Sequence, residues 1–317
     1  MLNEPLVSVI IPNFNHEIYL KQRIESVLDQ TFTDFELIIL DDHSTDNSRA
    51  IIETYRSNHK IKHIIYNDAN SGSPFIQWKK GIELALGKYI WIAESDDYSD
   101  PAFLETVTAS MEKEPAAVIC YTDSNIVENG KVDETANPSY YYNKLFASTR
   151  WFENFVNDGI DELINYMGGF CTIINASGCV FLKSAFPLKS KALDKFKYCG
   201  DWFTWIEMLG GGKIIYLKKP LNYFRIHANS TVNQFAKIKK AKELYQCLTR
   251  ARELTKGKSV IPNETLENFL YLWAHNSLYF FLRNFRFSLF MMHARLDKHF
   301  IVKIKRLSKG YFKLKFS

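Results

Sequence analysis

Residues 87–97 read GKYIWIAESDD, an apolar segment that ends abruptly in acidic side chains. The run from Lys88 to Ala93 has the length and the aromatic and β-branched content of a strand that is buried on both faces of a sheet. A similar pattern occurs at residues 35–42, which read FELIILDD. In both places carboxylates follow directly on a predicted strand.

Strands and helices alternate on either side of these two segments. Predicted strands cover residues 6–11, 35–40, 61–66, 88–93 and 116–121, with helical periodicity between them. This alternation predicts an α/β fold, with a mostly parallel sheet whose strands are joined by right-handed crossovers. A returning strand is predicted at residues 177–182 and a helix at residues 200–209. Because such sheets bind ligands at the carboxyl edge of their strands, we expect both acidic clusters to face one crevice.

The composition is that of an ordinary globular protein. The 317 residues are 46% hydrophobic and 24% charged, which excludes a disordered chain and a disulfide-rich miniprotein. The five cysteines are scattered without a C-x-x-C pair, which argues against a zinc cluster and favours a reducing compartment. The first residues lack the basic and apolar regions of a signal peptide. We therefore predict a cytoplasmic protein.

Positive charge is concentrated near the C-terminus. Residues 295–317 contain eight lysines and arginines and one aspartate, and apolar side chains such as Ile304, Phe312 and Phe316 alternate with them. This composition predicts a segment that lies on an anionic membrane surface, which would make the protein peripheral on the inner face of the cell membrane. Nucleic-acid binding by the same charges is the alternative, but the chain carries no recognition motif for it.

The two acidic clusters each admit two interpretations. Glu94, Asp96 and Asp97 repel one another when partly desolvated, and a divalent cation with phosphate in its remaining positions removes that cost. The alternative is a solvated acidic turn. Asp41 and Asp42 suit donors such as a base N–H and ribose hydroxyls, or else an Asx turn at the strand end.

Several segments together resemble glycosyltransferase family 2. They are Val9–Asn15, Gln30–Phe32, Glu36–Asp46 and Gly87–Asp97, which occur in the family's order and spacing. The resemblance covers about residues 6–230 and implies an inverting enzyme with the GT-A fold, a Rossmann-like α/β architecture. It also implies a function for each matching position.

The nucleotide is expected at the ends of the first two strands. The family's base-binding loop falls on Pro12, Phe14 and Asn15, and its base- or ribose-binding aspartates fall on Asp41 and Asp42.

The family's D-x-D element falls on Glu94, Ser95 and Asp96, with Glu in place of the usual first Asp. Asp96 and the following Asp97 are then the expected ribose and metal contacts, with Mg²⁺ or Mn²⁺ as the cofactor. The catalytic base falls on Asp201, at the start of a predicted helix. The alternative for Asp201 is an acidic side chain that the helix dipole favours by itself.

The remaining matches lie on the flanks of the predicted site. An Arg-x-His segment that closes many family members falls on Arg225 and His227, which implies that His227 binds the cation or the diphosphate. A structural histidine is the alternative. Lys79 lies where the family often has an Ala-Arg-Asn core, absent here, and is expected either to contact phosphate or to lie on a solvated helix face. Glu207 is the second choice for the base.

The predicted chain has two parts. Residues 1–230 form the GT-A catalytic domain, with a nucleotide-sugar half to about residue 122 and an acceptor half from 123, and residues 231–317 form a helical extension that ends in the basic tail. The predicted function is metal-dependent transfer of a sugar, from a UDP-sugar by preference, to a saccharide or lipid-linked glycan in bacterial surface polysaccharide synthesis. One alternative is a catalytically degenerate GT-A-like scaffold at the membrane surface. The other is a sugar-nucleotide pyrophosphorylase, although residues 12–15 lack the Gly-rich basic loop of that class.

Overall fold

The computed structural model describes residues 4–227 and 237–262. Strands and helices alternate in it as predicted. The strands are β1 (Val7–Asn13), β2 (Phe35–Asp41), β3 (Ile61–Tyr66), β4 (Tyr89–Ile92), β5 (Tyr98–Ser99), β6 (Ala117–Glu128), β7 (Lys131–Asp133), β8 (Phe155–Asp158), β9 (Cys179–Leu182) and β10 (Lys213–Ile226). The helices are α1 (Glu17–Leu28), α2 (Ser48–Thr54), α3 (Pro74–Leu84), α4 (Phe103–Lys113), α5 (Pro138–Leu145), α6 (Gly159–Asn165), α7 (Gly200–Leu209) and α8 (Lys237–Leu254).

The strands form one sheet, whose main path runs in the order β3-β2-β1-β4-β9-β6-β10-β5. β1 is parallel to β2 and β4, β2 is parallel to β3, and β6 is parallel to β10. The predicted returning strand is β9, which lies antiparallel between β4 and β6. The short strands β5, β7 and β8 also pair antiparallel. The predicted α/β class with a mostly parallel sheet is confirmed: the five predicted strands β1, β2, β3, β4 and β6 run in the same direction, and β10 runs parallel to them.

β10 is a long strand that the sequence pattern does not reveal. Its apolar run is interrupted by Lys218, Lys219 and Pro220. The register with β6 shifts on both sides of Pro220, so the strand absorbs the interruption as an irregularity and continues to Ile226. Because β10 continues past Pro220, Arg225 lies at the carboxyl edge of the sheet, where β4 ends.

Apolar side chains of the inner strands alternate between the two faces of the sheet. Ile10 packs into a cluster that includes residues of α3, α7 and α8, whereas Val9 and Ile11 pack into a cluster with residues of α1, α2 and α4. Helices therefore cover both faces, which is why the parallel strands read as continuous apolar runs.

α8 belongs to this core although it follows the predicted domain boundary at residue 230. Its Cys247, Leu248 and Ala251 are buried in the same cluster as α3 and α7. The division at residue 230 stays a prediction, and the basic segment 295–317 lies outside the described residues. Within the described ranges, no helix combines the length and the apolar content that a membrane span requires.

Candidate active site

The first turns of α3 contact the ends of both acidic strands. The side-chain amide of Gln77 donates a hydrogen bond to Asp42 (2.9 Å), just beyond β2. The indole N–H of Trp78 donates one to the carboxylate of Glu94 (2.9 Å), just beyond β4. Because Gln77 and Trp78 are consecutive, the two acidic clusters meet at one place on this helix, as the crossover rule predicts.

The same helix also fixes the start of α7, which carries Asp201. The ring of Phe75 lies so close to Gly200 that an added Cβ would stand 2.5 Å from it. A larger residue at position 200 would therefore displace either α3 or the first turn of α7. Phe75 and Trp78 are neighbours, with ring centroids 5.1 Å apart, so the helix that contacts Glu94 also positions Asp201.

The two aspartates at the end of β2, Asp41 and Asp42, accept hydrogen bonds from other residues of the protein. The Asp42 carboxylate accepts hydrogen bonds of 2.7–3.1 Å from Asn67 and Ser71, which precede α3, and from Gln77 of α3 itself. Asp41 accepts bonds from the Ser44 backbone N–H (2.9 Å) and the Asn13 amide (2.8 Å). The Asp41 side chain thus holds the turn after β2, through a bond that spans three residues where an Asx turn spans two. The predicted contacts of both residues with a nucleotide stay predictions.

The loop after β1 presents an aromatic ring at the carboxyl edge of the sheet. Phe14 is 43% exposed, whereas Pro12 is buried within β1. Asn15 has a positive φ of 55°, and its side-chain oxygen accepts the Thr45 backbone N–H (2.8 Å). The turn is thus tied to the loop after β2, and Phe14 and Asn15 are the exposed members of the predicted base-binding set.

Two predicted positions are engaged elsewhere. Lys79 forms an ion pair with Asp194 (2.6 Å), which joins α3 to the short helix at Leu193–Lys195. The side chain of Lys79 is 17% exposed, so it does not lie on a purely solvated helix face, and its predicted phosphate contact stays a prediction. Glu207, the second choice for the base, pairs with Arg250 of α8 (2.6 Å).

A buried arginine lies beneath the acidic loop formed by Glu94–Asp97. Arg23 of α1 is fully buried and donates from Nε to the Glu94 carbonyl (2.8 Å) and from Nη1 to the Ser99 hydroxyl (3.1 Å). Its Nη2 has no hydrogen-bond partner among the described residues. Burial lowers the pKa of Arg23 to about 10, and the charges of Asp97 and Asp96 oppose that shift. Arg23 therefore remains a cation at neutral pH and offsets part of the loop's negative charge.

Protonation of two carboxyl groups offsets another part of the acidic loop's negative charge. Burial raises the pKa of Glu94 to about 8, and the charge of Asp96 adds to the shift. Burial likewise raises the pKa of Asp97 to about 7, again with Asp96. Burial acts in the same direction on Asp96, but the hydrogen bond with His227 and the charge of His16 outweigh it and lower the pKa of Asp96 overall. The negative charge of the loop is thus concentrated on Asp96.

Asp97 and Arg225 tie the acidic loop to β10. The Asp97 carboxylate accepts the Arg225 backbone N–H (3.0 Å) and the Asn175 amide (2.6 Å). The Arg225 guanidinium donates to the Asp96 carbonyl (2.6 Å). It also contacts three side chains of the surrounding elements: Tyr19, Gln22 and Tyr98. Both residues therefore hold the loop in place through contacts within the protein.

Asp96, His16 and His227 form a cluster with metal-ligand spacing. One nitrogen of each histidine and one oxygen of Asp96 lie within 4.8 Å of one another, and Asp96 Oδ2 is 3.1 Å from His227 Nε2. A carboxylate and two imidazoles are donors that a divalent transition ion accepts, so these residues fit the cation that the family resemblance implies. Asp97, predicted as a ligand, is not a member of this cluster, and its oxygens accept hydrogen bonds from Asn175 and Arg225. Its binding of the cation stays a prediction. His16 is a member that the sequence analysis missed.

Asp201 lies in the first turn of α7. Its carboxylate accepts the backbone N–H of Trp202 (2.7 Å), and burial raises the pKa of Asp201 to about 6. The loop before it is held by Glu243 of α8, whose carboxylate accepts consecutive backbone N–H groups, those of Lys197, Tyr198 and Cys199. A carboxylate with a pKa near 6 is ionised at neutral pH and is a stronger base than an exposed aspartate.

Comparison with known sequences places these features in a family. A model of glycosyl transferase family 2 matches residues 8–168. TuaG of Bacillus subtilis, a glycosyltransferase by name, is 40% identical over 94 residues, and EpsH of the same organism is 26% identical over 239 residues. These matches cover 30% and 74% of this chain, but 37% and 65% of the two relatives, which is less than two thirds of the length of either.

Solved structures share the architecture. TarS 1–349 from S. aureus, in complex with UDP-GlcNAc, superposes with a TM-score of 0.60 at 17% identity and covers 93% of this chain and 80% of its own. The mannosyltransferase PcManGT from Pyrobaculum calidifontis, in complex with GDP-Man and Mn²⁺, has a TM-score of 0.54 at 14% identity and covers 86% and 70%. At these identities the likeness concerns the fold, and it confirms the predicted GT-A architecture.

Proposed function

The chain belongs to glycosyl transferase family 2, and on that premise we propose that it transfers a sugar from a nucleoside diphosphate donor to a hydroxyl group of a saccharide or lipid-linked glycan, with inversion. The observation that carries this proposal is the meeting of both acidic clusters and the start of α7 at Phe75–Trp78. A UDP-sugar is the favoured donor, and the UDP-GlcNAc complex of TarS supports it. The name of TuaG, which refers to teichuronic acid biosynthesis, supports a surface polysaccharide as the product.

Asp201 is the general base of the proposed reaction. Its carboxylate takes the proton of the acceptor hydroxyl while that oxygen attacks the anomeric carbon. The bond from the anomeric carbon to the diphosphate oxygen breaks, and its electron pair leaves with the nucleoside diphosphate. A single displacement of this kind inverts the anomeric centre.

The donor occupies the carboxyl edge of β1 and β4. Phe14 and Asn15 form the base subsite, and Ser95 and Asp96 contact the ribose side of the nucleotide. Asp96 and His227 hold the divalent cation, Mg²⁺ or Mn²⁺, which when bound neutralises the negative charge that develops on the diphosphate. Hydrogen bonds of Glu94, Asp97 and Arg225 within the protein hold this loop in position.

The test combines a binding screen with a transfer assay. A panel of nucleotide sugars is screened by thermal stabilisation with and without Mn²⁺, and the best donor is assayed for release of its nucleoside diphosphate in the presence of saccharide acceptors. We expect stabilisation by a UDP-sugar, and a loss of transfer of at least about 100-fold in Asp201→Asn with donor binding retained. The matched control is Glu207→Gln on the same helix, which should keep transfer. Full transfer by Asp201→Asn would refute the assignment of Asp201 as the base. If no nucleotide sugar of the panel stabilises the protein, the proposed glycosyltransferase activity is refuted.

A further inference from the structure

Resting on the proposed function, we propose that His16 is a third protein ligand of the cation, and that the site therefore selects a nitrogen-accepting transition ion over Mg²⁺. His16 lies in the loop between β1 and α1, Asp96 follows β4, and His227 follows β10. The three side chains thus come from three separate strand ends, and the fold alone brings them together.

The spacing of the cluster suits one ion. Donor atoms that share an ion at about 2.1 Å stand roughly 3–4 Å apart. The cluster atoms lie within 4.8 Å of one another, and Asp96 Oδ2 and His227 Nε2 are 3.1 Å apart. The rings of His16 and His227 are perpendicular, with centroids 5.8 Å apart. The three donor atoms therefore lie close to the separations that a shared ion requires.

The His16 ring is held in place by its own partners. A hydrogen bond of 2.8 Å joins His16 Nδ1 to the hydroxyl of Ser95. The ring of Tyr19 packs against both histidines, with centroid distances of 6.1 Å to His16 and 5.0 Å to His227. Histidines that bind metals are oriented in this way by partners outside the coordination shell. Ser95, the middle residue of the D-x-D element, thereby acquires a positioning function.

The donor set decides which ion is favoured. Mg²⁺ prefers oxygen ligands and keeps several waters, so imidazole nitrogens add little to its binding. Transition ions accept imidazole readily, and their affinity for mixed nitrogen and oxygen sites rises from Mn²⁺ to Co²⁺ and beyond. Two imidazoles and one carboxylate therefore favour Mn²⁺ or Co²⁺, and the remaining positions are left to the diphosphate of the donor and to water.

The experiment measures metal binding by the full chain without nucleotide or sugar, so its outcome is independent of transfer activity. Mn²⁺ is titrated by electron paramagnetic resonance, Co²⁺ by visible absorption, and Mg²⁺ by competition with Mn²⁺. We expect His16→Ala to weaken Mn²⁺ and Co²⁺ binding at least about tenfold, to change the Co²⁺ spectrum, and to alter Mg²⁺ binding less than about threefold. His59→Ala, which removes an exposed histidine outside the cluster, should bind like the unmodified protein.

Two further measurements keep the proposal open to refutation. Thermal unfolding in EDTA should give the same midpoint for His16→Ala as for the unmodified chain; if it does not, His16→Gln, which can keep a hydrogen bond with Ser95, replaces it. Ser95→Ala should weaken Mn²⁺ binding less than His16→Ala does. Equal Mn²⁺ affinity and an unchanged Co²⁺ spectrum in a folded His16 variant overturn the ligand assignment. Mg²⁺ binding as tight as Mn²⁺ binding in the unmodified protein overturns the selectivity.

Discussion

Among single residues, those of the acidic loop show how neighbouring carboxylates are kept together in a partly buried place. From the sequence, a divalent cation or solvation of the turn are the two means of offsetting their repulsion. The structure adds two other means, the buried guanidinium of Arg23 and the raised pKa values of Glu94 and Asp97. Both reduce the repulsion within the loop, and the remaining negative charge is concentrated on Asp96, beside the histidines.

The raised pKa of Asp201 predicts the pH dependence of transfer. A base must be ionised, and the Asp201 carboxyl loses its proton at about pH 6. We therefore expect kcat/KM for the acceptor to rise with pH through about 6 and to level off above it, about tenfold per pH unit on the acidic side. The measurement is kcat/KM between pH 5 and pH 8 at saturating donor and Mn²⁺. Donor binding by Asp201→Asn over the same range separates this step from titration of the acidic loop, and a rate that falls as pH rises through 6 contradicts the assignment.

Removal of the Arg23 charge should destabilise the protein. Arg23→Met retains the volume but leaves the acidic loop without its internal cation. We expect a loss of about 3 kcal/mol in the free energy of unfolding, measured by urea denaturation at pH 7. Lys21→Met on the same helix, where the side chain is 70% exposed, should change the stability by less than about 0.5 kcal/mol. A similar small effect for both variants would show that Arg23 carries no such function.

Both residues that the sequence analysis missed had a signal in the sequence. Arg23 falls on the helix face of Leu20, Ile24 and Val27, all buried, so a cation within that apolar stripe indicated a buried partner. His16 closes the loop after β1, on the edge where the other predicted site residues emerge. Its distance from Asp96 could not be predicted, because it depends on how β1 and β4 pair and on the path of β10, which the sequence pattern does not give.

Among the elements, α3 connects the parts of the site that the sequence analysis treated separately. The alternation of apolar segments predicts the helix and its place between β3 and β4. It does not predict that Gln77 and Trp78 contact the two acidic clusters, since those contacts depend on the orientation of α3 against the sheet. β10 was missed for a different reason, because Lys218–Pro220 breaks the apolar pattern and the strand continues through an irregular register.

The contact between α8 and the start of α7 predicts a stabilising function for Glu243. Glu243→Ala leaves three backbone N–H groups of residues 197–199 without their acceptor. We expect a loss of about 2 kcal/mol in the free energy of unfolding, together with slower transfer because Asp201 follows directly on this loop. Chemical denaturation and the transfer assay measure the two effects. Glu253→Ala on the same helix, where the side chain is 58% exposed, is the control and should change neither; a Glu243→Ala protein as stable and as active as this control would contradict the prediction.

For the whole molecule, the sequence predicts the α/β class and the carboxyl edge as the location of the site, and it leaves the order of the sheet undetermined. β6 is the next predicted strand after β4 along the chain, and alternation does not tell whether the two are neighbours in the sheet. The structure places β9 between them, antiparallel to both. A short apolar segment such as Cys179–Leu182 carries no local mark of its direction or of its neighbours, which are set by tertiary pairing.

The basic segment at residues 295–317 predicts binding to an anionic membrane. Its eight lysines and arginines alternate with apolar side chains, which suits the surface of vesicles that contain anionic lipids. We expect the full chain to sediment with such vesicles at low salt, and a chain without residues 295–317 to remain in the supernatant. Neutral vesicles and high salt are the controls. Equal sedimentation of both chains would contradict the prediction that residues 295–317 bind the membrane.

The position of β9 also has a consequence for the growing polypeptide on the ribosome. β9 (Cys179–Leu182), which pairs with β4, lies beyond residue 168, where the family match ends. During synthesis, β4 therefore has no β9 to pair with until residues 179–182 have been added. Until then the nascent chain exposes an open strand edge, and the Trp91 indole N–H lacks the Ser177 carbonyl that accepts it in the finished protein. Open edges of this kind pair with other chains. An expression fragment cut at residue 168 should therefore aggregate, and the smallest soluble piece must extend beyond β9.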